Sequence, residues 1–294
     1  MEYAIKVKNL TKGYEGFRLE HISFQIPKGS IVGFIGENGA GKSTTIKAIL
    51  GLLPIEEGEA ELLGHNICEG QGDESWREQI GVVFDECNFP VSVQVKNIQA
   101  IMKNIYKTWD GEKFAFYLKR FGLPLNKKVK ELSRGMKMKL SIAVALSHDS
   151  KLLILDEATS GLDPVVRNEI LDIFREFIEE EEHTVFLSSH ITSDIEKIAD
   201  YVMLIHKGEL LLMENKDEIL YRYGIVKCTK EQASMIPREL VVGKEENEFG
   251  ASVLVKDREQ VMEAPFMKNI PGMPAPVIDR AGIEDMLLYM AKSK

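Results

Sequence analysis

Ile31-Val32-Gly33-Phe34-Ile35 runs without a break into Gly36-Glu37-Asn38-Gly39-Ala40-Gly41-Lys42-Ser43, and Thr44 follows. The first five residues are continuously apolar, which predicts a strand buried on both faces. From Lys42 onward Ile46, Ile49 and Leu50 recur at helical spacing, and Gly51 supplies a stop. The loop between strand and helix fits G-x-x-x-x-G-K-[ST]. Gly36, Gly39 and Gly41, with the small Ala40 and the turn-forming Asn38, let successive N–H groups point inward at phosphate oxygens. The helix that follows adds the positive end of its dipole. Lys42 brings a mobile charge for the outer phosphates, and the Ser43 hydroxyl, with Thr44 beside it, is a hard oxygen suited to Mg²⁺.

A second buried strand, Leu152-Leu153-Ile154-Leu155, ends in Asp156-Glu157. Open α/β sheets bind ligands beyond the carboxyl ends of their strands. Asp156 is therefore expected near the phosphate loop, holding Mg²⁺. Glu157, one residue on, leaves the strand differently and is expected to reach the attacking water as a general base.

The remaining chain gives context. Alternation predicts strands over 3–8 and 22–26, mostly helix over 92–121, a strand at 185–187, a hairpin around Lys207-Gly208 and a helix near 216–223. The stripe Ile98, Ile101, Met102 and Ile105 reads as core packing. Asp163-Pro164 looks like the cap and first position of a helix whose apolar face carries Val166, Ile170, Ile173, Phe174 and Phe177. The acidic run Glu179 to Glu182 after it reads as a solvated face. Beyond residue 224 the character changes. Short strand-like pieces at 240–242 and 251–255 precede the Pro-rich stretch Pro271-Gly272-Met273-Pro274-Ala275-Pro276 and an apolar helix over 283–291.

Composition bounds the function. The chain has 294 residues and a formal net charge of -9, a poor balance for a nucleic-acid binder, so no nucleic-acid partner is expected. Its three cysteines, Cys68, Cys87 and Cys228, form no CxxC pair and point to a reducing compartment rather than a zinc site. The alternating N-terminus reads as an edge strand and not as a signal peptide. No apolar run approaches the roughly 20 residues of a membrane span. A membrane process would need a second chain to cross the bilayer.

Five motifs in order carry a resemblance. Besides the phosphate loop and Asp156-Glu157, Leu132-Ser133-Arg134-Gly135-Met136 resembles the LSGGQ signature of ABC ATPases. Ser160-Gly161-Leu162-Asp163 resembles their D-loop, and Ser188-Ser189-His190 their H-switch. The resemblance covers about residues 3–216. It implies an α/β fold: a P-loop NTPase of ABC type with a helical subdomain, an N-terminal antiparallel β subdomain and a small C-terminal α+β appendage. With the change of character beyond residue 224, this gives an ATPase domain over 1–224, with a helical arm at about 88–150, and an accessory domain over 225–294. Two ATPase domains would pair head to tail, each ATP held by one phosphate loop and by Ser133 and Gly135 of the other chain. A helix N-terminus opened by Ser133 suits that anion. Tyr14 matches the position that stacks on adenine, Asp163 belongs to the D-loop contacts, and His190 would contact the γ-phosphate. The other five histidines have no such context.

Two departures stand out. Asp85 occupies the place of the usual Q-loop glutamine, and Arg134 that of the first signature glycine, with Met136 in place of the signature glutamine. A carboxylate at 85 can still offer Mg²⁺ a hard oxygen. Lys127, Lys128, Lys130, Arg134, Lys137 and Lys139 read first as a solvated basic face, and second as an attraction for MgATP or an acidic partner loop. The segment Tyr106 to Phe121 and the signature resemble ABC-2-type subunits that export peptides, antibiotics or lipids. That branch implies ATP and Mg²⁺ as cofactors. Its other members work with a separate transmembrane permease and a second, identical or homologous, ATPase subunit, on the inner face of the cell membrane. The alternatives are a soluble ABC-type ATPase on DNA or ribosomes, or an ATP-binding scaffold. The chain has no room for a long coiled coil and a single motif set, and it keeps Glu157 and His190, which count against each in turn.

Overall fold

The computed structural model describes residues 2–67, 74–180, 182–268 and 274–292. Cys68, Glu181 and Pro271-Gly272-Met273, named above, lie outside these. By contacts the chain forms two compact units, 1–199 with 205–210, and 200–204 with 211–294.

The first unit opens with an antiparallel pair, β1 (Tyr3–Tyr14) and β2 (Phe17–Pro27). Both are longer than alternation predicts. The register shifts between Val7 and Leu10 and again before Lys12, and Asn9 and His21 adopt positive φ. Such bulges break the two-residue period that pattern reading depends on. Then come β3 (Ile31–Ile35), α1 (Lys42–Ile49), β4 (Glu57–Leu62), β5 (His65–Asn66) and β6 (Ile80–Val83). The antiparallel sheet runs β2-β1-β4-β5.

The helical arm holds α2 (Ile98–Ile105), α3 (Gly111–Arg120) and α4 (Arg134–Ala145). The expected helix over 92–121 is broken because Asp110 caps α3, accepting from the amides of Glu112 and Lys113 at 2.9 Å. Of the apolar stripe, Ile98 and Met102 are buried, whereas Ile105 is 58% exposed and is not core. After the arm come β7 (Leu152–Asp156), α5 (Pro164–Phe177), β8 (Thr184–Ser189) and α6 (Thr192–Ile198).

Strands β3, β8, β7 and β6 lie side by side and parallel. The register sets Ile35 beside Ser189 and Asp156 beside Ser188, with Val83 beside Leu155. The segments that leave at residues 36, 84, 157 and 190 therefore share one sheet edge, the carboxyl edge where such folds bind ligands. Helix α6 presses on β3, and a Cβ at Gly33 would stand 2.2 Å from Ile195 Cγ2, which excludes any larger residue there.

His148, after α4, is buried under Tyr106, whose ring stacks on it at 4.0 Å, and its Nδ1 lies 2.7 Å from the Glu78 carbonyl oxygen. Burial pushes its pKa below the usual histidine value; Glu78 and Asp149 oppose the shift, and Lys113 adds to it. The unfolded chain thus takes up a proton below about pH 6.5 that the folded chain resists. The stabilising effect of a neutral His148 is complete above that pH and is lost as pH falls through it. The thermal midpoint is expected to fall from pH 8 to pH 5. His148→Gln, less stable at pH 8 by about 1 kcal/mol, is expected to show a shallower fall.

The hairpin β9 (Tyr201–His206) and β10 (Glu209–Asn215) turns at Lys207-Gly208 as the dipeptide predicts. In the second unit follow α7 (Lys216–Arg222), β11 (Gly224–Cys228), α8 (Lys230–Met235), β12 (Val241–Glu246), β13 (Ala251–Val255), α9 (Arg258–Glu263), β14 (Val277–Arg280) and α10 (Ile283–Lys292). An antiparallel sheet of order β12-β13-β11-β14 carries α10 against β12 and β13. Val226, Val253, Val255 and Val261 form its core with Ile236 and Leu240. Among the described residues no helix is long and apolar enough to cross a membrane, and Cys87 and Cys228 are unpaired thiols.

Candidate functional site

The loop after β3 is built by its glycines. Gly39 and Gly41 have φ of +82° and +114°, a region that side chains rarely enter. A Cβ at Gly41 would also stand 2.6 Å from Leu19 Cδ2, and one at Gly36 would stand 2.5 Å from the Ile205 carbonyl oxygen. No side chain caps α1, so its first-turn amides stay available to an anion. Asn38 and Gly39 are exposed, Ala40 is buried, and Ser43 and Thr44 are half-buried at the helix start.

Lys42 is 5% exposed. Its ammonium donates to the carbonyl oxygens of Gly36 at 2.7 Å and Glu37 at 3.2 Å, and pairs with Glu157 Oε1 at 3.2 Å. The other oxygen of Glu157 lies 2.6 Å from His190 Nδ1. Lys42 at the start of α1, and Glu157 and His190 just beyond β7 and β8, thus form one chain of contacts. Glu157 has φ of +55°, a costly conformation for a non-glycine residue. Two bonds hold it: its amide donates to the Ser188 carbonyl oxygen at 3.2 Å and to Ser188 Oγ at 3.1 Å.

Ser188 Oγ in turn donates to Asp156 Oδ1 at 2.7 Å. One hydroxyl thereby sets both carboxylate residues. In the sequence Ser188 stands only within the His190 motif, which assigns it no such task. A small hydroxyl residue at a strand end beside the carboxylates was the available signal.

The other sequence-derived residues sit at loop and helix starts. Ser133 caps α4, accepting from the Met136 amide at 3.3 Å, and Gly135 faces Leu162 and Val166. Asp163 caps α5, accepting from the amides of Val165 and Val166 at 3.1 Å. Arg167 on α5 donates to the Leu162 carbonyl oxygen and lies 3.8 Å from the buried Asp194 of α6, tying the segment after Asp163 to the segment after His190. Tyr14 is 48% exposed at the β1–β2 turn with the Lys12 ammonium 5.4 Å from its ring centre. Phe17, after the turn, reaches the phosphate loop: a Cβ at Gly41 would stand 3.0 Å from Phe17 Cζ. Asp85 accepts from Arg134 Nη2 at 2.5 Å. Beside it an open cavity of about 380 Å³ is lined by Phe84, Asp85, Glu86, Cys87, Arg134 and Lys137, among others.

Oxygen groups fit a hard divalent cation: the Ser43 hydroxyl and the Asp156 carboxylate, whose Oδ1 alone is taken by Ser188. Among the described residues no group of three His, Cys, Asp or Glu could hold a metal by itself.

A family model described as ABC transporter matches residues 19–160. The bacitracin transport ATP-binding protein BcrA of Bacillus licheniformis is 36% identical over 214 residues, covering 72% of this chain and 69% of its own. The lantibiotic transport ATP-binding protein SrtF of Streptococcus pyogenes is 35% identical over 221 residues, covering 72% and 91%. Among solved structures, a dimeric post-hydrolysis state of the ATP-binding cassette MJ0796 bound to ADP and Pi is similar with a TM-score of 0.64 at 27% identity. That match covers 72% of this chain and 98% of the cassette.

Proposed function

Because the chain belongs to the ABC transporter ATP-binding proteins and is an ATPase of that family, we propose that it powers export of a peptide, antibiotic or lipid-like compound through a separate transmembrane permease. The names of the bacitracin and lantibiotic relatives support the class of cargo. The single observation that carries the chemistry is the contact chain Lys42–Glu157–His190.

In this reading the loop from Gly36 to Thr44 cradles the phosphates, and Lys42 exchanges its carbonyl partners for phosphate oxygens. Ser43 and Asp156 would hold Mg²⁺, which would neutralise charge on the outer phosphates. Glu157 takes the proton of the attacking water, and His190 orients Glu157 and meets the γ-phosphate. Tyr14 supplies an exposed face for adenine. Two chains pair head to tail, with Ser133 and Gly135 closing on the partner's ATP and Asp163 at the seam. Residues 1–224 form the ATPase domain with its arm at 88–150, and 225–294 an accessory domain. The permease docks near residues 84–110, where the cavity beside Phe84 opens, and holds the protein at the inner membrane face.

If two chains make each site, turnover per chain rises with protein concentration. We expect the rate of phosphate release per chain to climb steeply on moving from nanomolar to micromolar protein. A rate per chain that is flat over that range at saturating MgATP would overturn pairing.

A further inference from the structure

Two of the residues at which the chain departs from its family's motifs touch each other. Arg134 Nη2 donates to Asp85 Oδ1 at 2.5 Å, across 49 residues of sequence. The guanidinium also lies along Gly161, where a Cβ would stand 2.7 Å from Nη1 and 3.0 Å from Cζ. Arg134 is the first residue of α4, directly after the Ser133 cap. One side chain therefore meets the loop after β6, the start of α4 and the turn before Asp163.

Both partners are about half exposed, at 52% and 49%. A pair so exposed adds little to fold stability and weakens with salt. What it fixes is direction, because the guanidinium fork is planar and its donors are set. Separately, the two charges are liabilities. Asp85 leaves the sheet at the edge that carries Asp156, where an unpaired carboxylate would repel a polyphosphate. Arg134 unpaired, beside Ser133, would seek that phosphate itself.

We infer that Asp85 and Arg134 form one positioning unit that replaces the family's glutamine and glycine together. It sets the Ser133–Gly135 helix start against the loop after β6 and against Gly161. This rests on the proposed role of Ser133 and Gly135 toward the partner's ATP.

The test restores the family residues one at a time and together: Asp85→Gln, Arg134→Gly and the double variant. Each single change is expected to lower kcat about tenfold, and the double to return within about threefold of wild type, since contacting residues couple by such factors. Binding of a fluorescent ATP analogue to the monomer stays unchanged in Asp85→Gln and in the double variant, and weakens in Arg134→Gly, which leaves the Asp85 carboxylate without its partner. Arg134→Lys, which keeps the charge and loses the fork, is the milder second probe and is expected to cost about threefold in kcat. A double variant as slow as the product of the singles overturns the inference, as do singles with wild-type kcat. So does a raised Mg²⁺ requirement in Asp85→Gln that Arg134→Gly lacks, which would make Asp85 a metal ligand. Failure of the underlying pairing shows separately, as a wild type whose rate per chain ignores protein concentration.

Discussion

Glu157→Gln is expected to lower ATP turnover by about 10²–10⁴-fold, the usual contribution of a positioned general base, while leaving ATP bound. The amide keeps the length of the side chain but has no charge to accept the water's proton. The fold is not at risk, because the two hydrogen bonds to Ser188 are donated by the Glu157 backbone N–H and not by its side chain. Affinity for ATP is expected to rise slightly. In the wild type the Glu157 carboxylate holds the Lys42 ammonium at 3.2 Å, so an incoming phosphate competes with it. Glutamine removes that competitor. Single-turnover phosphate release and equilibrium binding of a fluorescent ATP analogue measure the two effects separately. A variant that hydrolyses within about threefold of wild type would remove Glu157 from the chemistry.

Lys42→Ala is expected to weaken ATP binding by about 10²–10⁴-fold, from the loss of two charge-assisted bonds at about 1.5–3 kcal/mol each. Two effects add in the same direction. The cation that phosphates would meet is gone, and Glu157, 14% exposed, loses a partner and keeps its charge facing them. Lys42→Arg is not a rescue. The ammonium sits 5% exposed against two carbonyl oxygens, a slot shaped for a compact group, and a planar fork does not fit it. Isothermal titration with MgATP reads the loss directly. Near wild-type affinity in Lys42→Ala would contradict the assignment of the loop.

Much of this was legible in the sequence because it is local. A continuous apolar run, a glycine loop and a helical period need only neighbouring residues, and β3, the loop and α1 follow from them. The caps Ser133 and Asp163 were legible for the same reason. The ABC fold came from the resemblance that five such local patterns carry in order, and the appendage from the change of character beyond residue 224. What escaped was either irregular or distant. Bulges hid the length of β1 and β2. β14, four residues with Val277 exposed, carries no alternation, and its place beside β11 is set by tertiary pairing. Ser188 gains its task only when β8 lies next to β7. That Asp85 faces Arg134 depends on a contact no spacing rule reports.

The central claim is that ATP joins two copies of this chain into one hydrolytic unit. The most direct measurement is the mass in solution of Glu157→Gln with and without MgATP, at concentrations where the analogue-binding assay shows the site filled. The expected result is a monomer without nucleotide and a dimer with MgATP, the trapped state that wild type passes through and leaves. A monomer at saturating MgATP, with ATP bound, would contradict self-pairing through Ser133 and Gly135.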